Sequence, residues 1–301
     1  MQVVWIGVIL SVMAAADTQF QLALPNCTDR CGDVEIPYPF GLTEGCYLNG
    51  TNGTNEFLIH CDNSSGKSEP KTGTFLVTDI SIQEGQIDIM MHNAMDCYNS
   101  AGSPMISTTR KQGIRNPIFT ISNNKNKFVA VGCDTYGYLK GFKNEERFTT
   151  GCLSVCESKS NLVNGTCSGI GCCQMEIPGG LKNITVEANS FESHRNVVDF
   201  NPCSYAFVIR GDKFNFSSDY LTTLQINETL PMVLDWAIGS EKCDHAQNKT
   251  NYVCGENSKC VDHYGSGYRC KCRKGYHGNP YLKDGCKGIQ FTYYLFTTIF
   301  F

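Results

Sequence analysis

Short apolar runs separated by polar clusters fill the first half of the chain. Phe57–Cys61, Phe75–Ile82, Ile87–Met91, Ile118–Ile121 and Phe128–Val131 are rich in β-branched and aromatic residues, and Asn, Gly, Ser and Lys punctuate them. No stretch there sustains an apolar repeat near 3.6 residues, so the pattern predicts strands and few helices. Further along, Leu181–Glu187 alternates. Ile184 and Val186 share one face of a strand, and Asn183 and Thr185 share the other. In Phe214-Asn215-Phe216 the two rings point one way and the amide the other. The expected fold class is mainly β.

One segment breaks the alternation. Cys27-Thr28-Asp29-Arg30-Cys31-Gly32-Asp33-Val34-Glu35-Ile36-Pro37-Tyr38-Pro39-Phe40-Gly41 is bracketed by cysteines, with Gly45-Cys46-Tyr47 close behind. Pro37 and Pro39 fix φ and remove two backbone donors, and they push Ile36 and Tyr38 out of the helical region. A stiff extended ribbon follows. Its aromatics either lie displayed on a surface or anchor a core, and the residues alone leave both open.

Cysteine usage changes the picture. Eighteen cysteines in 301 residues imply bridges and an oxidising compartment. Zinc fits poorly, because there is no Cys-x2-Cys pair and the six His are scattered. No metal or cofactor is implied. Nine Asn-x-Ser/Thr sequons, at Asn26, Asn49, Asn52, Asn63, Asn164, Asn183, Asn215, Asn227 and Asn248, point independently to secretion and glycosylation. A glycan on Asn183 or Asn215 would mark the wet face of its strand. The net charge of −4 argues against nucleic acid as a partner.

The run Cys-x3-Cys-Gly-Asp-Val-x-Ile-Pro-Tyr-Pro-Phe-Gly resembles the start of the galacturonan-binding domain of plant wall-associated receptor kinases. Similar likenesses recur at Gly132–Tyr136, Gly169–Gln174, Asp199–Phe207, Leu234–Ile238 and Gly278–Leu282, so the resemblance covers roughly residues 27 to 287. It implies a galacturonan-binding domain over 27–140 and a cysteine-rich wall-associated C-terminal domain over 141–240. The six cysteines of the first unit (27, 31, 46, 61, 97 and 133) suffice for three bridges within it, in any of fifteen pairings. In the second unit, adjacent Cys172 and Cys173 are expected to tie two different strands. Residues 243–286 have the spacing of an EGF-like module, with too few large apolar groups to fold without bridges. Similarity to such modules implies Cys243–Cys260, Cys254–Cys270 and Cys272–Cys286. Calcium-binding modules of this kind carry acidic and amide ligands just before the first cysteine, where this chain has Gly239-Ser240-Glu241-Lys242, so the sequence leaves calcium binding open.

The two ends differ from the rest. Residues 1–16 read as a signal peptide, with an apolar stretch from Val3 to Val12 and small residues at Ala14-Ala15-Ala16. Residues 288–301 form a hydrophobic tail, expected to be unstructured. Its last 13 residues would span about 20 Å as a helix against a hydrocarbon core of roughly 30 Å, so membrane attachment is the minor reading and a truncated end the major one. The Gly-rich loop, Val-Ala-x-Lys, His-Arg-Asp and Asp-Phe-Gly elements of a protein kinase are missing from the sequence. Asp33 and Glu35, two apart on an extended segment, do not make a glycosidase pair. The chain reads as non-catalytic.

The functional clue is where the cations fall. Between Cys97 and Cys133 stand Arg110, Lys111, Arg115, Lys125 and Lys127 with no Asp or Glu. Galacturonan carries one carboxylate per sugar, and guanidinium and ammonium groups repeated along a polymer add by multivalency. Tyr38, Phe40, Tyr47 or Tyr98 are candidate stacking platforms for sugar faces. The expected partner is therefore an acidic cell-wall polysaccharide, met outside the cell. The alternative is a protein-interaction module in which the EGF-like unit captures a peptide or co-receptor, or a chain that is one piece of a longer receptor kinase.

Overall fold

The computed structural model describes residues 20–50, 54–108, 116–143, 146–224 and 229–288, together with the backbone of 110–113. The expected signal peptide and most of the hydrophobic tail lie outside the described residues. Three sheets make up the main body. Six strands run in the order Phe119–Ile121, Thr229–Trp236, Gln86–His92, Phe75–Ser81, Glu69–Thr72, His60–Asp62. Five run Cys172–Glu176, Asn126–Val131, Cys203–Arg210, Ala94–Tyr98, Pro104–Thr108. Four run Glu146–Val155, Asp134–Lys143, Asn183–Ser190, Arg110–Gly113. The pairings that join them are antiparallel.

These sheets do not respect the boundary expected near residue 140. Thr229–Trp236 sits between Phe119–Ile121 and Gln86–His92. Cys203–Arg210 sits between Asn126–Val131 and Ala94–Tyr98. The bridges cross it too. Cys27–Cys46 and Cys31–Cys61 stay within the first segment, whereas Cys97 pairs with Cys203 and Cys133 with Cys156. Three self-contained bridges in 27–140 are therefore not what forms. The strand register sets Cys97 directly opposite Cys203, so the sheet dictates the pair. Cys172 and Cys173 bond to Cys167 and Cys152 respectively. All eighteen cysteines are paired.

Cys203–Arg210 reads as an unbroken apolar run because both its faces are covered. Ala206 and Val208 turn to the larger core, while Tyr205, Phe207 and Ile209 turn to a second one closed by Phe214, Phe216 and Leu221. The four-stranded sheet packs tightly against this strand and its neighbour. A Cβ on Gly137 would lie 3.0 Å from Ala130 and Phe128 and 3.2 Å from Ala206, so any side chain there would press on all three.

The larger core centres on Trp236, wholly buried. Phe40 meets it edge-on at 5.2 Å between centroids, Phe57 at 6.2 Å, and Phe119 stacks on Phe40 at 6.3 Å. The proline-stiffened ribbon thus delivers Phe40 inward, and the core reading of its aromatics is the one realised there. Tyr47 is buried as well. Neither can stack on a sugar. Tyr38 is half-buried.

Residues 243–286 carry the bridges Cys243–Cys260, Cys254–Cys270 and Cys272–Cys286 around two short hairpins. This module is docked on the body. Tyr281 lies 5.4 Å from Trp236, and the buried Asn279 amide donates to the carbonyls of Leu22 and Tyr38 at 2.8 and 2.7 Å. Tyr268 pairs through its backbone with Ile238, and the Arg269 guanidinium donates to the carbonyls of Glu84 and Gly85. Gly278–Leu282 is therefore a plug between the module and the ribbon.

Candidate functional site

The strand Asp134–Lys143 alternates strictly. Thr135, Gly137 and Leu139 face the core, while Tyr136, Tyr138, Lys140 and Phe142 face outward. Outside neighbours come from the paired strands. Leu153 and Asn189 flank Tyr136, Gly151 and Glu187 flank Tyr138, and Thr149 and Thr185 flank Lys140. Arg147 stands opposite Phe142. Beyond Thr185 the register sets Lys111 on the edge strand. The result is a strip of aromatic and cationic positions about 20 Å long, at ~3.3 Å per residue.

Contacts within the strip hold its rings in place. Tyr136 lies 4.7 Å from Phe191 and 5.4 Å from Tyr138. Phe191 is put there by Asp134, whose carboxylate accepts from the backbone N–H groups of Phe191, Glu192 and His194 and from the Ser190 hydroxyl. Gly151 leaves room for the Tyr138 ring, since a Cβ there would sit 2.8 Å from it. The Lys140 ammonium lies 5.3 Å from the Tyr138 centroid and the Arg147 guanidinium 5.8 Å from that of Phe142, both within cation–π range. Tyr138 is 38% exposed, Phe142 49% and Phe191 50%. Lys140 also pairs with Glu187. Rings with exposed faces beside cations can stack on a sugar and pair with its carboxylate.

The cations expected to form one strip divide between two sheets. Arg110 and Lys111 lie on the edge strand, in register with Val186 and Thr185 respectively. Lys127 lies on the five-stranded sheet, ion-paired with Glu176, and Lys125 sits in the turn before it. Arg115 is outside the described residues. Of the proposed stacking aromatics, Tyr98 donates to Asp96 at 2.8 Å, and burial, then that carboxylate, pushes its phenol up to about 12. Tyr136, Tyr138, Phe142, Phe191, Lys140 and Arg147 escaped the sequence reading. The signal was present: Asp134–Lys143 puts rings or a cation at four alternate positions and Thr, Gly, Leu and Gly between them.

All seven described sequon asparagines are exposed: Asn26, Asn49, Asn63, Asn164, Asn183, Asn215 and Asn248. Asn183 lies on the outward side of its strand, with Ile184 and Val186 buried beneath. Phe214 and Phe216 pack inward and leave Asn215 outside.

One buried constellation looks catalytic and is not. His194 Nε2 lies 2.9 Å from Ser204 Oγ, and Nδ1 lies 2.7 Å from the Asn201 carbonyl. Both side chains are wholly buried, and the serine hydroxyl also bonds to the Thr135 hydroxyl at 2.8 Å and to the Asp134 carbonyl at 3.4 Å. No substrate reaches the pair. Burial holds the imidazole below its ordinary range, with Asp134 pulling the other way. An unfolded histidine titrates near 6.5, so below about pH 6.5 the unfolded chain binds more protons than the folded one and stability falls as pH drops. The melting temperature is expected to decrease from pH 7 to pH 5, and His194→Gln to narrow that difference. Calorimetry at the two pH values checks it; an unchanged difference in the variant overturns the assignment.

Among the described residues no cluster of His, Cys, Asp or Glu is arranged to hold a metal ion, and no helix is long and apolar enough to cross a membrane.

Residues 27–91 match the family described as Wall-associated receptor kinase galacturonan-binding. Over 286 residues the chain is 37% identical to wall-associated receptor kinase 2 of Arabidopsis thaliana, an alignment covering 94% of this chain and 37% of the relative. Against wall-associated receptor kinase 5 of the same plant it is 36% identical over 281 residues, covering 91% and 36%. Against wall-associated receptor kinase 1 it is 33% identical over 277 residues, covering 88% and 35%. The chain spans little more than a third of the length of these relatives. No solved structure matches it.

Proposed function

We propose that this chain is a wall-associated receptor ectodomain that binds acidic pectic polysaccharide outside the cell without catalysing its breakdown. The observation that carries the reading is the outward face of the four-stranded sheet, where Tyr136, Tyr138 and Phe142 alternate along one strand with Lys140, and Arg147 covers Phe142. The family match supports the ligand class. The matched segment itself holds three cations, Arg30, Lys67 and Lys71, and two of these are ion-paired with Glu35 and with Asp62 and Glu69. Lys140 on the outward face is ion-paired as well, with Glu187, so that face is set apart by its exposed rings beside cations rather than by unpaired charge. Lys111 holds the edge-strand position in register with Thr185 and Lys140, Arg110 the neighbouring position in register with buried Val186, and Lys127 lies on another sheet with Lys125 in the turn before it. Full pairing of the cysteines suits an oxidising, extracellular setting. Any kinase activity belongs to a longer protein of which this chain would be the outer part.

The polymer lies along Asp134–Lys143, sugar faces on the rings and carboxylates toward the cations. Binding of unesterified galacturonan oligomers to the secreted chain is expected to weaken as salt rises, since exposed charges are screened beyond a Debye length of about 8 Å at 0.15 M. Tyr138→Ala is expected to weaken it roughly tenfold, the equivalent of ~1.4 kcal/mol. Titration calorimetry at two ionic strengths, with a methyl-esterified oligomer as the neutral comparison, tests both. Equal affinity for the esterified and the charged oligomer overturns the reading.

A further inference from the structure

Lys143 ends the strand that carries the aromatic strip, and just past it the body and the docked module enclose a groove of about 400 Å³. That is the size of a site for a small ligand. The body contributes Pro117, Lys143, Gly179 and Lys182, and the module contributes His263 and Tyr264. Two ammonium groups line it, and among its described lining residues there is no carboxylate. Lys182 donates one bond to the Pro117 carbonyl at 2.7 Å, which fixes the side chain and leaves two donors. Tyr264 is the most exposed large aromatic among the described residues, at 72%. Its ring edge would lie 3.3 Å from a Cβ on Gly179, so the absent side chain there lets the ring stand at the rim. Below it the 263–267 hairpin is held firmly. His263 is buried and its backbone N–H bonds to the Gly267 carbonyl, and Gly267 leaves no space for a side chain against the carbonyls of Gly239 and Ile238.

A cationic, acid-free pocket with an exposed ring at its rim suits a carboxylate-bearing pyranose. We propose that this groove takes uronic-acid units of an acidic polysaccharide, with Lys143 and Lys182 pairing with sugar carboxylates and Tyr264 stacking on a ring; by strand alternation its cations lie on the side away from the strip, so it is a second subsite. The module is then one wall of that subsite rather than a separate partner-binding bead. This inference rests on the proposed function. It adds a second binding surface, shared between the body and residues 263–266.

The test uses the whole secreted chain and a short unesterified galacturonan oligomer. Four proteins are titrated at low salt: wild type, the double variant Lys143→Gln/Lys182→Gln, Tyr264→Ala, and Lys213→Gln as an exposed cation elsewhere. Unchanged thermal melting in the variants shows that the fold is retained, as expected for surface positions. The groove variants are expected to lose about tenfold in affinity, ~1.4 kcal/mol, while Lys213→Gln binds as wild type does. Wild type that binds, with groove variants binding equally well, overturns the groove and leaves the strip standing. Wild type that fails to bind overturns the proposed function and the groove together. An equal loss in all three variants, Lys213→Gln included, shows a diffuse effect and overturns the groove as a site.

Discussion

Deleting residues 243–286 is expected to leave the rest of the chain insoluble or unsecreted, with no separable partner-binding activity to score. The module covers one side of the main core. Tyr281 and Tyr268 are buried against it, Tyr281 directly on Trp236. Removing them bares the core side chains they cover, at about 1.5–3 kcal/mol for each large side chain exposed. The deletion also leaves the carbonyls of Leu22 and Tyr38 without the Asn279 amide, and those of Glu84 and Gly85 without Arg269. Comparing secretion yield and size-exclusion profiles of the full and shortened chains checks this. A shortened chain that elutes as a monomer with unchanged melting temperature would show the docking to be incidental. Tyr281→Ala, a milder form of the same experiment, should lower the melting temperature without removing the module. The experiment that would separate a polysaccharide function from an EGF-like partner function by truncation is thus not available in this molecule. Point substitutions on the module's outer side are needed instead.

Trp236→Ala is expected to be the most destabilising single change in the body, by about 3–5 kcal/mol. That is a large part of the roughly 5–15 kcal/mol that holds a domain folded. The indole touches four structural units at once: the ribbon through Phe40, the loop before the first sheet through Phe57, the sheet in which it resides, and the docked module through Tyr281. Truncation opens a cavity that none of these can close without moving against the others. Its Nε1 is buried with no hydrogen-bond partner, so Trp236→Phe loses volume but no hydrogen bond and should cost a fraction of the alanine change. Denaturant unfolding of both variants tests the order. If phenylalanine proved as costly as alanine, the polar edge of the ring would have a role that the packing does not show.

The strand pattern was legible because each run carries its own period. Phe75–Ile82 and Ile87–Met91 appear as Phe75–Ser81 and Gln86–His92, and Ile184 and Val186 lie under Asn183 as alternation requires. What sequence order concealed was partnership. Nothing local in Cys97 distinguishes Cys203 from nearer cysteines, because the choice is made by a strand pairing that spans 106 residues. Phe40 was ambiguous for a related reason: proline fixes the ribbon's shape but not which side meets the core, and that depends on Trp236 far along the chain. At the site, counting cations between two cysteines grouped residues by position in the chain. Folding groups them by sheet, so Lys127 went to Glu176 while Lys140, outside the counted interval, joined Tyr138.

Asn183 bears on the proposed face directly, since it lies on the outward side of the strand beside Lys140 and Thr185. A glycan there would border the strip, and the occupancy of that sequon would tune access to it.

The interleaving of strands from both sides of residue 140 has a consequence for biosynthesis. As the polypeptide emerges, Gln86–His92 and Asn126–Val131 must wait for Thr229–Trp236 and Cys203–Arg210, which are made about seventy or more residues later. Until then the nascent chain carries two unfinished sheets with open edges, the condition in which aggregation competes with folding. Glycans attached early, at Asn26, Asn49 and Asn63, would be in place during that wait. Any translation product halted before Trp236 lacks the strand that completes its first sheet, and quality control in the secretory pathway would be its expected destination.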